Sequence, residues 1–356
     1  MSDHSFHKTK LLVVGGAGFV GSNLVCKLLE CDPEEIWIVD NLLSSEVENI
    51  PNDPRIRFKC GSITNPEILH SLPEDLSYVW HLACFHGNQS SIFDPLADHA
   101  NNALPSLVLF QHLSRYKGLK RVVYAAAGCA VAEKTFDTAH ATTESQPISL
   151  FHDSPYSISK ILGELYGNFF FTSCKLPFVK ARFQNVYGPR EILGAGNWRG
   201  TVHTVWRNVT PSFIWKALNK EALPLDNAGN ASRDFIFVED MARGLMACAE
   251  RGEPGEVYNL ASGVETTIRD LAETINELTG NPTPMDIRPA RDWDHSGKRF
   301  GSPDKSEREL GFRAQVKLRD GLAQTIEWTR KHSPLIMRCM ARHEPFLRLV
   351  AEKRTS

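Results

Sequence analysis

Three features of the 356-residue chain predict a doubly wound α/β protein, a parallel sheet flanked by helices with a smaller mixed domain toward the C-terminus. Its first half alternates short β-branched or aromatic runs with amphipathic stretches, the rhythm of β-α-β units. A glycine-rich turn stands between the first such run and the first helical stretch. After about residue 186 the alternation loosens, which marks a differently built region.

The elements follow in chain order. Lys10–Val14, Glu35–Val39, Ile56–Lys59, Tyr78–Leu82 and Arg121–Ala125 read as strands, with Ser22–Glu30 and Leu104–Tyr116 as helices between them. Right-handed crossovers bring every strand's C-terminal end to one edge, where ligands bind. Glu191–Gly200 is Gly-rich and irregular. Residues 203–220 predict one helix, Phe235–Val238 and Glu256–Leu260 late strands, and Thr267–Thr279 a helix stopped by Gly280-Asn281-Pro282. The expected division is residues 1–185 with 234–262 as the main-sheet domain and 186–233 with 263–333 as the smaller one. Residues 334–356 form a basic helical tail that either packs on the body or stands apart from it.

Composition narrows the partners. A hydrophobic content of 42% supplies a sizeable core, and a net charge of -2 gives no general attraction to nucleic acid or an anionic membrane. The first apolar run, Leu11–Val14, is far too short to span a bilayer and no signal-peptide pattern is visible, so a soluble cytoplasmic protein is expected. Eight cysteines are scattered without a Cys-x-x-Cys pair, and thirteen histidines lack metal spacing, so neither disulfides nor a metal site is expected.

The glycine-rich turn carries the first chemistry. Leu11–Val14 runs into Gly15-Gly16-Ala17-Gly18-Phe19-Val20-Gly21 and then a helical stretch. Gly15 permits a tight turn off the strand, Gly18 lets the backbone approach a pyrophosphate, and Gly21 lets the helix pack on the strand. The helix N-terminus offers unpaired N–H groups and a positive dipole end to the phosphates. Asp40 closes the second strand 19 positions after Gly21. Its carboxylate suits the ribose hydroxyls of adenosine and repels a 2′-phosphate, so the Rossmann-type site is predicted to take NAD rather than NADP.

Tyr156-Ser157-Ile158-Ser159-Lys160 opens the helical run Ile161–Phe170. A spacing of four puts Tyr156 and Lys160 on one helix face. A phenol with a pKa of about 10 is a poor base at neutral pH, and a neighbouring ammonium stabilises the phenolate. Lys160 can also hold the nicotinamide ribose while the phenolate takes a hydroxyl proton.

With these motifs in hand, the chain resembles the extended short-chain dehydrogenase/reductases of the nucleotide-sugar epimerase/dehydratase type over roughly residues 10 to 330. Further likeness lies in His81-Leu82-Ala83, Asp94-Pro95 with Asn102, Arg182-Phe183-Gln184-Asn185-Val186-Tyr187-Gly188-Pro189, Arg233–Asp240 and Tyr258–Gly263. The resemblance implies that Leu82, Ala83 and Cys84 line the cofactor groove and that Asn102 supports the loop beside it. It places Ser62 and Ile63 near the adenine, where the family usually has Asp and an apolar residue. Phe19, Val20, Asn41, Ala125 and Val186 complete the implied cofactor set. Asn185, Asn208, Arg233 and Arg291 match positions that hold a nucleotide diphosphate, which arginines chelate well. His86 and Ser91 are the implied sugar contacts, and a homodimer is the implied assembly.

The pattern breaks at Ala125-Ala126-Ala127-Gly128-Cys129. Ala127 stands where the family has Ser or Thr bonded to the reacting hydroxyl. The 4,6-dehydratases resembled here carry an acidic pair at Gly128 and Cys129, and the decarboxylases a Glu at Cys129; this chain has neither. In GDP-mannose 3,5-epimerases the matching Cys is an acid/base at carbon, but the Lys that partners it is replaced here by Val209. Cys129 therefore stands as either a catalytic thiol or an inert buried one. The expected activity is an NAD-dependent epimerase of a nucleotide-diphosphate sugar, acting at C4 through a transient 4-keto sugar. A dehydrogenase, a dehydratase or a 3,5-type epimerase would share that first oxidation, and a catalytically weak NAD-binding regulator is the reading outside enzymes.

Overall fold

The computed structural model describes residues 5–128, 131, 135, 137–290 and 297–355. In chain order, β1 (Lys10–Val14), α1 (Phe19–Leu29), β2 (Glu35–Asp40), β3 (Ile56–Cys60), α2 (Pro66–His70) and β4 (Tyr78–His81) come first. Next are α3 (Asn88–Phe93), α4 (Pro95–Asn101), α5 (Ala103–Leu113), β5 (Arg121–Ala127), β6 (Ala141–Thr142), α6 (Pro155–Cys174), β7 (Phe178–Phe183) and β8 (Asn185–Tyr187). The later chain contains α7 (His203–Trp206), α8 (Val209–Leu218), β9 (Pro224–Asp226), β10 (Ser232–Phe237), α9 (Val238–Arg251), β11 (Val257–Leu260), β12 (Glu265–Thr267) and α10 (Ile268–Thr279). It ends with β13 (Asp286–Arg288), β14 (Phe300–Gly301), α11 (Asp304–Leu310), α12 (Leu318–Lys331), α13 (Ser333–Ala341) and α14 (Glu344–Thr355).

The main sheet is parallel throughout, in the order β11-β7-β5-β4-β1-β2-β3. Its central strands are covered on both faces, which is why they read as continuous apolar runs rather than alternating ones. Leu11, Val13, Leu24 and Leu28 belong to the core on one side of the sheet; Leu12, Val79, Leu109 and Phe110 belong to the other. The chain leaves β1 for β2 and β3 and crosses back to β4 on the opposite side of β1. This reversal opens a crevice at the C-terminal ends of β1 and β4. Among the described residues no helix is long and apolar enough to cross a membrane.

The smaller part has its own core of Tyr187, Phe213, Ile214, Leu225, Phe237 and Leu271 with their neighbours. β10 pairs in parallel with β8 and antiparallel with β12, while β11 returns to the main sheet beside β7. Residues 234–262 thus serve both sheets.

Two local outcomes differ from expectation or decide between alternatives. The single helix expected over 203–220 is broken into α7 and α8 at Arg207, whose φ is 51°. Pro211 explains the break, because its ring would clash with the Arg207 carbonyl four residues earlier in a continuous helix. The basic tail packs on the body. Ile336 and Cys339 are buried against Ile192, Leu193 and Ala195, and His343 Nε2 lies 2.9 Å from the Gly194 carbonyl. Arg342 pairs with Glu46 at 3.0 Å and Arg338 with Glu48, so the tail joins the loop after β2 to the loop after β8.

Candidate active site

A cleft of about 780 Å³ runs along the C-terminal ends of β1 to β5 and on into the smaller part. Volumes of this order suit cofactors and small-molecule substrates. Its first end is the glycine turn. Gly15 has φ +90°, and a Cβ there would stand 2.5 Å from the Ala83 backbone nitrogen. A Cβ on Gly21 would stand 2.1 Å from the Gly15 carbonyl oxygen. The backbone is therefore as close as the sequence motif requires, and α1 begins with its N–H groups toward the cleft wall formed by Gly18, Phe19, Val20 and Gly21. Such a cradle fits a dinucleotide pyrophosphate.

Asp40 closes β2 and lies on the same wall. Its carboxylate accepts hydrogen bonds from Ala17 N–H (3.0 Å), Leu42 N–H (2.9 Å) and the Ser45 hydroxyl (2.8 Å). Burial pushes its pKa up, and these bonds oppose the push. Asn41, Ser62, Ile63, Leu82, Ala83, Cys84, Ala125 and Val186 also line the cleft. Asn102 does not. It is buried below, bonding the backbone N–H and C=O of Phe85, and so holds the loop that carries Cys84 and His86.

α6 starts at Pro155 with Ser154 as its N-cap, so Tyr156 and Lys160 fall in its first turns. Lys160 is 4% exposed and donates to the Ala125 carbonyl at 2.8 Å. Its ammonium lies 6.0 Å from the centroid of the Tyr156 ring. Ala127 and Ile161 pack against Tyr156, so the Ala127 methyl group forms this part of the wall. Ser91 is fully buried rather than part of the cleft wall; its Oγ accepts from the Tyr156 backbone N–H at 3.1 Å and fixes the start of α6.

The far end holds His86, edge-on to Tyr156 with ring centroids 6.1 Å apart. His86 Nε2 lies 3.0 Å from Asn208 Oδ1, and Asn208 Nδ2 donates to Glu191 Oε1 at 2.6 Å. Since the amide nitrogen faces the carboxylate, Asn208 presents its oxygen to an Nε2–H donor. Burial holds the imidazole neutral, with its pKa down at about 4. Burial likewise drives the Glu191 pKa upward. Asn185, Arg233, Arg288 and Arg299 also line the cleft, and Arg233 bonds the Ser232 and Gly297 carbonyls. Cys129 and Arg291, both named from the sequence, lie outside the described residues. The sequence reading missed Glu191, Arg199, Arg207, Arg288 and Arg299. No motif marked the first three: Glu191 and Arg199 lie in the Gly-rich stretch, and Arg207 lies in the segment expected to be helical. Among the described residues no cluster could hold a metal ion.

A family profile described as NAD dependent epimerase/dehydratase family matches residues 11–261. Among solved structures, the Bordetella bronchiseptica enzyme WbmF in complex with NAD+ and UDP is 54% identical, with 97% of this chain and 98% of that one covered and a TM-score of 0.87. The UDP-glucose 4-epimerase of Mycolicibacterium smegmatis is 28% identical over 328 residues, covering 91% of this chain and 99% of that protein. The dTDP-glucose 4,6-dehydratase of Streptomyces antibioticus is 30% identical over 329 residues, covering 90% and 92%.

Proposed function

Because this chain belongs to the NAD-dependent epimerase/dehydratase family, we propose that it is a nucleotide-sugar 4-epimerase. Its cofactor is NAD, in keeping with the family and with the glycine cradle. The observations that carry the 4-epimerase reading are the surrounding of Tyr156, with Lys160 beside it and Ala127 and Ile161 packed on it, and the presence of Gly128 and Cys129 where dehydratases and decarboxylases would need acids. Elimination or decarboxylation calls for an extra acid at that wall, whereas epimerisation at C4 calls only for a base that takes a proton and gives it back.

NAD bound in the cleft supplies a hydride acceptor that gives the hydride back. The Tyr156 phenolate takes the proton of the C4 hydroxyl as that carbon is oxidised, and returns it after the 4-keto sugar has turned over in the cleft. Lys160, held by the Ala125 carbonyl, lowers the cost of the phenolate and bonds the nicotinamide ribose. In this reading residues 1–185 with 234–262 hold the cofactor. Residues 186–233 with 263–333 hold the nucleotide diphosphate, with Asn185 and Arg233 toward the phosphates and His86 toward the sugar. UDP, which the Bordetella neighbour binds, is the nucleotide we assign.

Tyr156→Phe removes one hydroxyl and should keep NAD binding while turnover falls about 10² to 10⁴-fold. Epimer formation from UDP-sugars, followed by NMR in heavy water, checks both parts. An unchanged rate in the variant sinks the role of Tyr156. Deuterium at C3 or C5 of the product, lost in Cys129→Ser, would replace the C4 reading with the 3,5-type.

A further inference from the structure

Glu191 lines the cleft, is 5% exposed, and takes no part in the chemistry described above. Burying a carboxyl group at a cleft wall is costly, so its contacts call for a purpose. Its Oε2 has no hydrogen-bond partner, and its Oε1 accepts from Asn208 Nδ2 at 2.6 Å. Burial pushes its pKa up, and the charge of Arg207 pulls it back.

An amide has a fixed polarity, so the partner at one end of Asn208 decides the partner at the other. With Nδ2 given to a carboxylate, only Oδ1 is left for His86 Nε2, 3.0 Å away. Two acceptors do not bond each other, so Nε2 carries a proton. Burial above all, and then the charges of Arg207 and Arg199, keep the ring from taking a second one, against the Asn208 bond and the charge of Glu191. A neutral imidazole has one N–H, which leaves Nδ1 with a bare lone pair.

That nitrogen is free to meet a ligand. His86 lines the cleft, and its Nδ1 makes no hydrogen bond to the described residues. It is also absent from the buried atoms that lack a partner, so it opens on the cleft. The backbone beneath is held by Asn102, which bonds the N–H and C=O of Phe85. The ring stands edge-on to Tyr156 with centroids 6.1 Å apart. With Tyr156 at the C4 hydroxyl, a side chain this close meets a substituent on a neighbouring carbon of the sugar.

We propose that Glu191 is a positioning residue: acting through Asn208, it fixes the His86 proton on Nε2 and so makes Nδ1 an acceptor for a hydroxyl that the sugar carries beside C4, at C3 or C6. The assignment rests on the nucleotide-sugar reading above and states what that sugar offers. A deoxy carbon at the same place would leave the Nδ1 lone pair unmatched.

The proton is located by nitrogen NMR of NAD-loaded enzyme labelled at its histidine rings, with the His86 signals identified by their loss in His86→Gln. The wild type should carry the proton on Nε2. Glu191→Leu should share it between the two nitrogens, and Glu191→Gln, which keeps an acceptor for Asn208, should restore the wild-type pattern. A wild-type proton on Nδ1 overturns the proposal, as does an unchanged His86 signal in Glu191→Leu. The sugar contact is read by calorimetric titration with UDP, UDP-glucose and its 3-deoxy and 6-deoxy analogues. One deoxy analogue should bind about 10-fold more weakly than UDP-glucose, and Glu191→Leu should shrink that gap to about 3-fold or less while UDP affinity holds. Deoxy analogues that match UDP-glucose overturn the acceptor role of His86 and leave the nucleotide-sugar reading standing. Absence of UDP binding altogether takes down that reading and the sugar contact with it, while the proton position still tests Glu191. If Glu191→Leu does not fold, Asn208→Leu, which removes the link itself, takes its place in both measurements.

Discussion

His86 illustrates how a single side chain carries both a stability term and a functional one. Its ordinary pKa of 6.5 is drawn down to about 4 by burial in the folded protein. Between those values the folded chain holds fewer protons than the unfolded chain, so stability rises with pH across the window and is lost as the pH falls from about 6.5 to about 4. Replacing His86 by Gln should flatten the dependence of unfolding free energy on pH there by up to one proton, about 1.4 kcal/mol per pH unit. Denaturant titrations at several pH values read this directly, and superposable slopes would mean that His86 is already charged in the fold. The sequence exposed the residues whose roles depend on local spacing. Gly15, Gly18 and Gly21 sit on one turn, and Tyr156 and Lys160 on one helix face, so the chain itself sets their geometry. Arg199 and Arg207 were invisible because the path of their Gly-rich segment is set by distant partners: Asn197 N–H bonds the Leu43 carbonyl, and Arg207 Nη2 the Ser44 carbonyl. Ser91 was misread for a similar reason. Sequence placed it near the site, but only the fold turns its hydroxyl beneath α6.

α6 is the element on which the proposed chemistry depends, and one buried ion pair fastens it to the main sheet. Glu164 on α6 pairs with Arg182 on β7 at 2.9 Å, both almost wholly buried. Arg182 also bonds the Glu144 carbonyl, so the pair ties the helix to a loop as well. Removing one partner of such a pair leaves a bare charge inside the protein. Glu164→Leu should destabilise the fold by about 3–5 kcal/mol in denaturant unfolding. Lys160 lies one helical turn before Glu164, so turnover should fall in the same variant even where the protein remains folded. A loss under 1 kcal/mol would show that Arg182 finds another partner. The break between α7 and α8 makes the complementary point: apolar periodicity suggested one helix, and a proline's reach to the fourth preceding carbonyl decided otherwise.

At the scale of the whole molecule, α5 and α6 lie side by side, and their outer surface is apolar. Ile158, Leu165 and Phe169 form one exposed stripe at spacings of seven and four along α6, with Leu104 exposed on α5. We assign this face to a second copy of the chain, packed helix to helix about a twofold axis. Light scattering should give twice the chain mass, and Leu165→Glu should return it to the single-chain value. A monomeric wild type would leave the stripe unexplained and refute the assignment. The parallel sheet and the ligand edge at its strands' C-terminal ends were legible because strand alternation and crossover handedness leave few topologies. The docking of α13 and α14 was not, since nothing local in a basic amphipathic segment says which surface it meets.

The hydrogen bonds around Asp40 have an evolutionary consequence. Three donors, Ala17 N–H, Leu42 N–H and the Ser45 hydroxyl, converge on that carboxylate. A descendant that exchanged Asp40 for a small or basic residue to admit a 2′-phosphate would strand those donors, at about 1–3 kcal/mol for each one left buried. Coenzyme choice is therefore entrenched: the substitution that would open the other redox pool also loosens the turn that holds the coenzyme, and only a lineage that rebuilt the turn in concert could make the crossing.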